Sequence, residues 1–338
     1  MYELSQLMKP ERATLRDVAR EAGVSYQTVS RVINNHENVS EKTRNRVLKA
    51  INRLDFRVNR AAQIMQTKRS NTIEVILFYS GFNLFLYEMA RATQQAGYHF
   101  VISAITEEEF EQTLENASSR FVDGLIIIPN RPMTENYQEL YRLSNGIPVV
   151  QVGAKLGATL PCVLYDQRHG AKLATEHLIG LGHRKIAEIS GPLANHDGSD
   201  RHEGWVETMQ RHGLEPYMTV EGDYSLESGY QAMKELLDGG ANFTGIFVAN
   251  DSMAIGAHTA LREHGLKVPD DVSMVSFDDI PEASHFVPKL TTVRQDFQFL
   301  GRLAVEYVIN MIDRPDMPVH QRVLQPELII RDSTRALE

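Results

Sequence analysis

Near the N-terminus runs Thr14-Leu15-Arg16-Asp17-Val18-Ala19-Arg20-Glu21-Ala22-Gly23-Val24-Ser25-Tyr26-Gln27-Thr28-Val29-Ser30-Arg31-Val32, which encodes two short helices and a tight turn. Thr14 is an N-cap with Asp17 three residues on, the spacing of a capping box. Leu15, Val18, Ala19 and Ala22 recur at helical intervals. Gly23 supplies the left-handed residue that ends the helix. Ser25 caps a second segment in which Val29 and Val32 face inward. A third segment runs from a capping Ser40 to about Leu54, with Val47, Leu48, Ile51 and Leu54 as its buried face. Small Ala19 lets two helices cross closely, and Val29 locks the second against the first, as in a helix-turn-helix. A generic helical hairpin fits the same spacing, so the outer face of the second helix decides. It carries Tyr26, Gln27 and Arg31, which reach base edges, and the hydroxyls of Ser25, Thr28 and Ser30, which suit phosphates.

Charge is divided along the chain in the way this reading requires. The net charge is −9, yet residues 1–60 hold 12 Lys and Arg against 7 Asp and Glu, and the remainder 23 against 37. A basic head on an acidic body fits a chain that meets phosphate at one end. The 338 residues imply two or three domains, and 42% hydrophobic with 23% charged residues is a folded, soluble balance. The single cysteine, Cys162, excludes an internal disulfide and fits a reducing compartment. Residues 1–12 have no apolar core of a secretory signal, and apolar runs such as 124–129 are far short of the roughly 20 residues that span a bilayer. The expectation is a cytoplasmic protein.

The run from Thr14 to Val32 resembles the signature of the LacI/GalR family of transcriptional regulators, with a recognition helix of the lac type. That resemblance implies base reading by Tyr26, Gln27 and Arg31, with Thr14, Ser25, Thr28, Ser30 and Asn34 completing the set on the DNA. Residues 59–67 are good helix formers in a stretch too short to be a stable helix alone. In the family such a segment folds on the operator and wedges an apolar side chain into the minor groove. The matching position here is Met65, flanked by Ala62; Asn59 and Arg60 are placed on phosphates and Gln63 near the groove floor.

From residue 72 strand and helix patterns alternate. Strands read at 73–79, 100–104, 124–129, 149–152, 185–190, 245–249 and 273–277, and helices at 84–95, 170–181, 201–211, 227–237 and 252–264. Alternation of this kind means parallel sheets, with ligands at the carboxyl ends of the strands. His177-Leu178-Ile179-Gly180-Leu181-Gly182-His183, Phe277-Asp278-Asp279 and Leu290-Thr291-Thr292 resemble the sensor of the same family, itself similar to periplasmic sugar-binding proteins. The fold class expected is therefore α/β: a three-helix DNA-binding head (1–58), a hinge (59–69) and a two-lobed sensor (70–338). One lobe is expected from about 72–165 plus 295–325, the other from about 166–293 plus the C-terminal strand. The resemblance assigns effector contacts to Tyr79, Phe85, Arg201, Tyr224, Asn250, Asp278 and Phe297. Helix capping for Asn250 and Asp278, a surface ion pair for Arg201 and core packing for Phe297 are the alternatives. Gly153 stands where lac-type members carry a sugar-contacting aspartate, and residues 83–97 are about one turn shorter than the family spacing.

His196-Asp197-Gly198-Ser199-Asp200-Arg201-His202 matches no metal spacing and reads as a loop, so no metal or other cofactor is expected. No nucleotide-binding glycine motif and no nucleophile–base set is present, which argues against an enzyme. The chain stops soon after Arg331-Asp332-Ser333-Thr334 without leucine heptads, so a homodimer on a pseudo-palindromic double-stranded operator is expected. These expectations describe a DNA-binding repressor under the control of a small effector, a sugar. A purine-responsive regulator and a solute-binding receptor are the rivals.

Overall fold

The computed structural model describes residues 13–33, 38–56, 69–78, 83–129, 136–240 and 242–337, the side chains of 83 and 84 excepted. They divide into two compact units, Met1–Ser70 and Asn71–Glu338.

In the first unit α1 (Leu15–Ala22), α2 (Tyr26–Ile33) and α3 (Glu41–Arg53) close around Val18, Ala19, Ala22, Val29, Val32, Val47 and Ala50. The Thr14 hydroxyl accepts from the Asp17 amide at 3.3 Å, and Asp17 Oδ2 accepts from the Thr14 amide at 2.9 Å. Both partners of the capping box are thus in place. Gly23 ends α1 at φ 59° and ψ 43°, where a side chain would cost on the order of 1 kcal/mol. The Ser25 hydroxyl accepts from the Thr28 amide at 3.2 Å and opens α2. One expected core residue is displaced: Leu48 is 45% exposed and Ala50 is buried instead. Val47, Ala50, Ile51 and Leu54 recur on one side of α3, and Leu48 lies about 100° round the axis from Val47.

The second unit holds two six-stranded sheets. The chain lays down β1 (Thr72–Leu77), α4 (Asn83–Gln95), β2 (His99–Ala104), α5 (Phe110–Glu115), β3 (Gly124–Ile128), α6 (Tyr137–Leu143), β4 (Val149–Val152) and β5 (Cys162–Tyr165). It continues with α7 (Gln167–Gly180), β6 (Ile186–Ser190), α8 (His196–Arg211), β7 (Thr219–Glu221), α9 (Leu226–Asp238), β8 (Gly245–Val248), α10 (Asp251–Glu263) and β9 (Ser273–Asp278). It ends with β10 (Thr291–Arg294), α11 (Phe297–Asp313), β11 (Gln321–Leu324) and β12 (Glu327–Ile329). The sheet orders are β11-β5-β4-β3-β1-β2 and β12-β10-β9-β8-β6-β7. Every pairing is parallel except that β12 runs antiparallel to β10.

Strands β3, β4, β5, β6 and β8 are buried along their whole length. Helices cover both faces of such sheets, which is why these strands read as predominantly apolar runs, interrupted only by the buried Gln151 of β4 and the buried Glu188 and Ser190 of β6. Leu300, Ala304, Val305 and Val308 of α11 pack on the first sheet, whereas Ala171, Ala174 and Leu178 of α7 pack on the second. The chain therefore passes between the lobes three times: from β5 into α7, from β10 into α11, and from β11 into β12. One local expectation is corrected. Residues 196–200 are the first turn of α8 rather than a loop, and Gly198 is needed there because a Cβ would strike the Pro192 carbonyl.

Candidate nucleic-acid interface and ligand cleft

On the head, burial of Val29 and Val32 fixes which side of α2 meets water. Tyr26, Gln27 and Arg31 are exposed on the other side, while Thr28 and Ser30 are half-buried. Gln27 and Arg31 are one turn apart and project together. The hydroxyls of Ser25 and Thr28 lie 2.9 Å apart and bond each other, so each has capacity left for a further partner. Thr14 is exposed at the start of α1. Asn34, Asn59, Arg60, Ala62, Gln63 and Met65, and Tyr79 of the body, lie outside the described residues.

In the body, strand topology gathers the cleft residues of the second lobe. Gly191 follows β6, Tyr224 follows β7, Asn250 follows β8 and Asp278 ends β9, so all stand at carboxyl ends of parallel strands. Arg201 on α8 is 3% exposed and approaches Asp278 Oδ1 to 3.4 Å. Its Nε donates to Gln167 Oε1 at 2.9 Å, one terminal N–H donates to the Ala249 carbonyl, and its plane lies 3.9 Å from the Phe277 ring centre. It is thus a buried, partnered cation and not a surface ion pair. Burial pushes the Asp278 carboxyl upward, while Arg201 and the Gln295 amide hold it down. With Asp278 side-chain exposure at 17%, one face remains open to a ligand.

Tyr224 lies against Gly191, where any Cβ would overlap the ring. Its hydroxyl is buried and has no hydrogen-bond partner among the described residues. Leaving such a group unpaired costs about 1–3 kcal/mol, so it is poised to receive an acceptor. Tyr224, Asp278 and Asp279 have φ of 71°, 107° and 55°. Left-handed non-glycine residues cluster where function sets the backbone, at about 1–3 kcal/mol each.

Other expected effector contacts also have packing or capping partners within the fold. Phe85 is 3% exposed in the core of the first lobe, against Gly301 of α11, and backs the wall instead of forming it. Asn250 is the N-cap of α10: its Oδ1 accepts from the Met253 amide at 2.8 Å and its Nδ2 donates to the Tyr224 carbonyl at 3.1 Å. Its amide holds Tyr224 in position. Phe297 opens α11 half-buried against the first-lobe core. Gly153 has φ 76°, and a Cβ built there would stand 4.0 Å from Asp197 Oδ1. Asp197, in the first turn of α8, thus brings a carboxylate of the second lobe close to Gly153 of the first. A separate groove of about 220 Å³ beside α7 and α8 is lined by Arg168, Lys172 and Arg211, whose charges are already paired with Glu207 and Glu176.

Behind Asp278, Asp251 is wholly buried and accepts from Thr292 Oγ1 at 2.7 Å, the Ile280 amide at 2.8 Å and the Ser276 hydroxyl. Burial and the neighbouring Asp278 push its carboxyl from the ordinary 3.8 up to about 7, against those hydrogen bonds. A carboxyl raised on folding stabilises the fold fully below its unfolded value, and that contribution is lost as pH rises towards 7. The melting temperature of Asp251→Asn relative to the parent should therefore increase between pH 5 and pH 8. Asparagine can still accept from Ile280 and donate to the hydroxyls. Calorimetry showing a difference independent of pH would mean that Asp251 is ionised throughout.

Residues 14–59 match the profile of bacterial regulatory proteins of the lacI family, and residues 175–334 match a periplasmic binding protein-like domain. The lactose operon repressor of Escherichia coli is 34% identical over 337 residues, covering 97% of this chain and 92% of that protein. This chain belongs to the LacI family. Other LacI-family relatives include a ribose operon repressor of Halalkalibacterium halodurans, 31% identical over 96% of this chain and 98% of that protein. The HTH-type transcriptional repressor PurR of Haemophilus influenzae is 33% identical over 96% and 99%. Among solved structures, a lac repressor dimer bound to operator and the anti-inducer ONPF superposes with TM-score 0.87 at 32% identity, covering 96% of this chain and all of that one. A CelR–cellobiose complex superposes at TM-score 0.71 and 31% identity, covering 95% and 100%.

The LacI family is one of transcriptional regulators, not of enzymes. No helix among the described residues is long and apolar enough to cross a membrane. Three cleft residues of this LacI-family chain escaped the sequence reading. Asp197 was hidden by taking 196–200 for a loop. Gln167 and Gln295 carry no motif, and only their positions at the ends of β5 and β10 distinguish them.

Proposed function

We propose that this LacI-family chain is a cytoplasmic repressor whose head (1–58) reads a pseudo-palindromic operator as a homodimer, with a hinge at 59–69. Its sensor (70–338) changes operator affinity on binding a small polyhydroxylated effector, a sugar. The observation that carries the effector reading is the Arg201–Asp278 pair, a forked donor beside an acceptor at strand carboxyl ends, with the unpaired Tyr224 hydroxyl nearby. A hydroxyl-rich ligand can donate to Asp278 and Asp197 and accept from Arg201 and Tyr224, with the Tyr224 and Phe297 rings against its C–H faces. On the head, Tyr26, Gln27 and Arg31 take base edges. Thr14, Ser25, Thr28, Ser30, Asn34, Asn59 and Arg60 take the backbone, and Ala62 and Met65 the minor groove. Relatives that are repressors of lactose and ribose operons, and the transcriptional repressor PurR, support the mode of action.

The test is a thermal-shift screen of mono- and disaccharides and nucleobases on the full chain, followed by anisotropy on a lac-type operator duplex. A ligand at a hundredfold excess over its Kd adds about 2.7 kcal/mol, several degrees for a body this size. We expect a sugar to produce that shift and to change operator affinity at least fivefold. A shift with nucleobases alone would replace the sugar by a purine effector. A shift without any change in operator affinity would remove the regulatory coupling.

A further inference from the structure

Gln167 is the first residue of α7 and Gln295 lies between β10 and α11, so each sits where the chain passes from one lobe to the other. They are 7% and 5% exposed. Arg201 Nε donates to Gln167 Oε1 at 2.9 Å, Gln167 Nε2 donates to Gln295 Oε1 at 2.9 Å, and Gln295 Nε2 donates to Asp278 Oδ1 at 2.8 Å. The Arg201–Asp278 contact of 3.4 Å closes the ring. Charge sets the direction of every bond. Arginine can only donate, so Gln167 presents its oxygen to Arg201 and its hydrogens to Gln295. Ionised Asp278 can only accept, so Gln295 must present its hydrogens to it and its oxygen to Gln167.

A second tie lies alongside. The Asp296 amide donates to the Tyr165 hydroxyl at 2.8 Å, again joining the segment after β10 to that at the end of β5. The third passage is adjacent, since the Asp166 amide donates to the Leu324 carbonyl at 2.9 Å. The same two charged groups thus face the cleft on one side and hold the inter-lobe passages together on the other.

We propose that Gln167 and Gln295 are positioning residues: through them, occupancy of the Arg201–Asp278 site sets the relative orientation of the two lobes. The proposal deepens, and rests on, the reading of that pair as the effector site. A ligand that draws on Arg201 or Asp278 competes with the ring, and loosening the ring removes one of the two ties between the β5–α7 and β10–α11 passages. Neither glutamine needs to touch the ligand.

The test measures lobe orientation directly. Exposed Glu111 in the first lobe and Glu235 in the second are changed to cysteine and spin-labelled in the full chain, since native Cys162 is buried. Labelled protein is diluted into unlabelled protein, and the distance distribution is recorded by pulsed dipolar spectroscopy without DNA or effector. Gln167→Met, Gln295→Met and the double variant should give the same shifted or broadened distribution, because each breaks the same ring. Gln167→Glu should match them, since it still accepts from Arg201 but has no hydrogen for Gln295, and it serves if a methionine variant does not fold. The same variants should change affinity for a labelled lac-type operator duplex at least fivefold, with the double variant no worse than the single ones. A distance distribution identical to the parent's overturns the proposal, as do additive effects on operator binding or none. If the parent itself ignores the operator or every sugar, the preceding functional reading fails. The distances, read without either, still decide whether the glutamines hold the lobes.

Discussion

Asp278→Ala should abolish the effector response while leaving the head able to find its operator. Arg201 would remain buried at 3% exposure with its counter-charge removed, and the Gln295 amide would lose the acceptor it meets at 2.8 Å. Breaking a buried ion pair from one side costs about 3–5 kcal/mol, so the body should also melt markedly earlier. Asp278→Asn separates the two effects. It retains an oxygen for Gln295, tolerates the φ of 107° better than most residues, and removes only the charge. A hydrogen bond to a charged group contributes about 1.5–3 kcal/mol, so the asparagine variant should bind effector about 10- to 150-fold more weakly. Isothermal titration with the sugar that shifts the parent's melting point measures this. An asparagine variant with parental affinity would place the effector elsewhere in the body.

What sequence could disclose follows from how local each signal is. The cap at Thr14, the turn at Gly23 and the inward Val29 are set by residues three to ten apart, and the structure forms them as spacing demands. Leu48 misled because an apolar residue in an amphipathic stretch counts as core until the tilt of the helix is known. The cleft is less legible, for its members come from separate strand ends. Arg201 and Asp278 were expected to share a site, and the fold brings them to 3.4 Å. Gln167 and Gln295 are 128 residues apart in sequence, and nothing in the spacing of two glutamines predicts an amide pair. Asp197 was concealed by Gly198, which signals a turn in isolation but here makes room for the Pro192 carbonyl inside a helix.

At the other end of the molecule, Arg31→Ala should remove sequence discrimination with little effect on folding. Arg31 is exposed in the last turn of α2, and no ion-pair partner is found for it among the described residues. Its loss forfeits a few tenths of a kcal/mol with the helix dipole. A bidentate arginine–guanine pair, by contrast, contributes about 1–3 kcal/mol of discrimination, or roughly 5- to 150-fold in relative affinity. Competition gel shifts between a lac-type operator and scrambled DNA should show the two affinities converging. The salt dependence on scrambled DNA should barely change, because non-specific binding draws on phosphate contacts spread over many residues. Ser25→Ala provides the contrast: it deletes the acceptor for the Thr28 amide, costs the head about 1 kcal/mol, and weakens both DNAs alike. Undiminished discrimination by the Arg31 variant would mean that base reading resides elsewhere on the head.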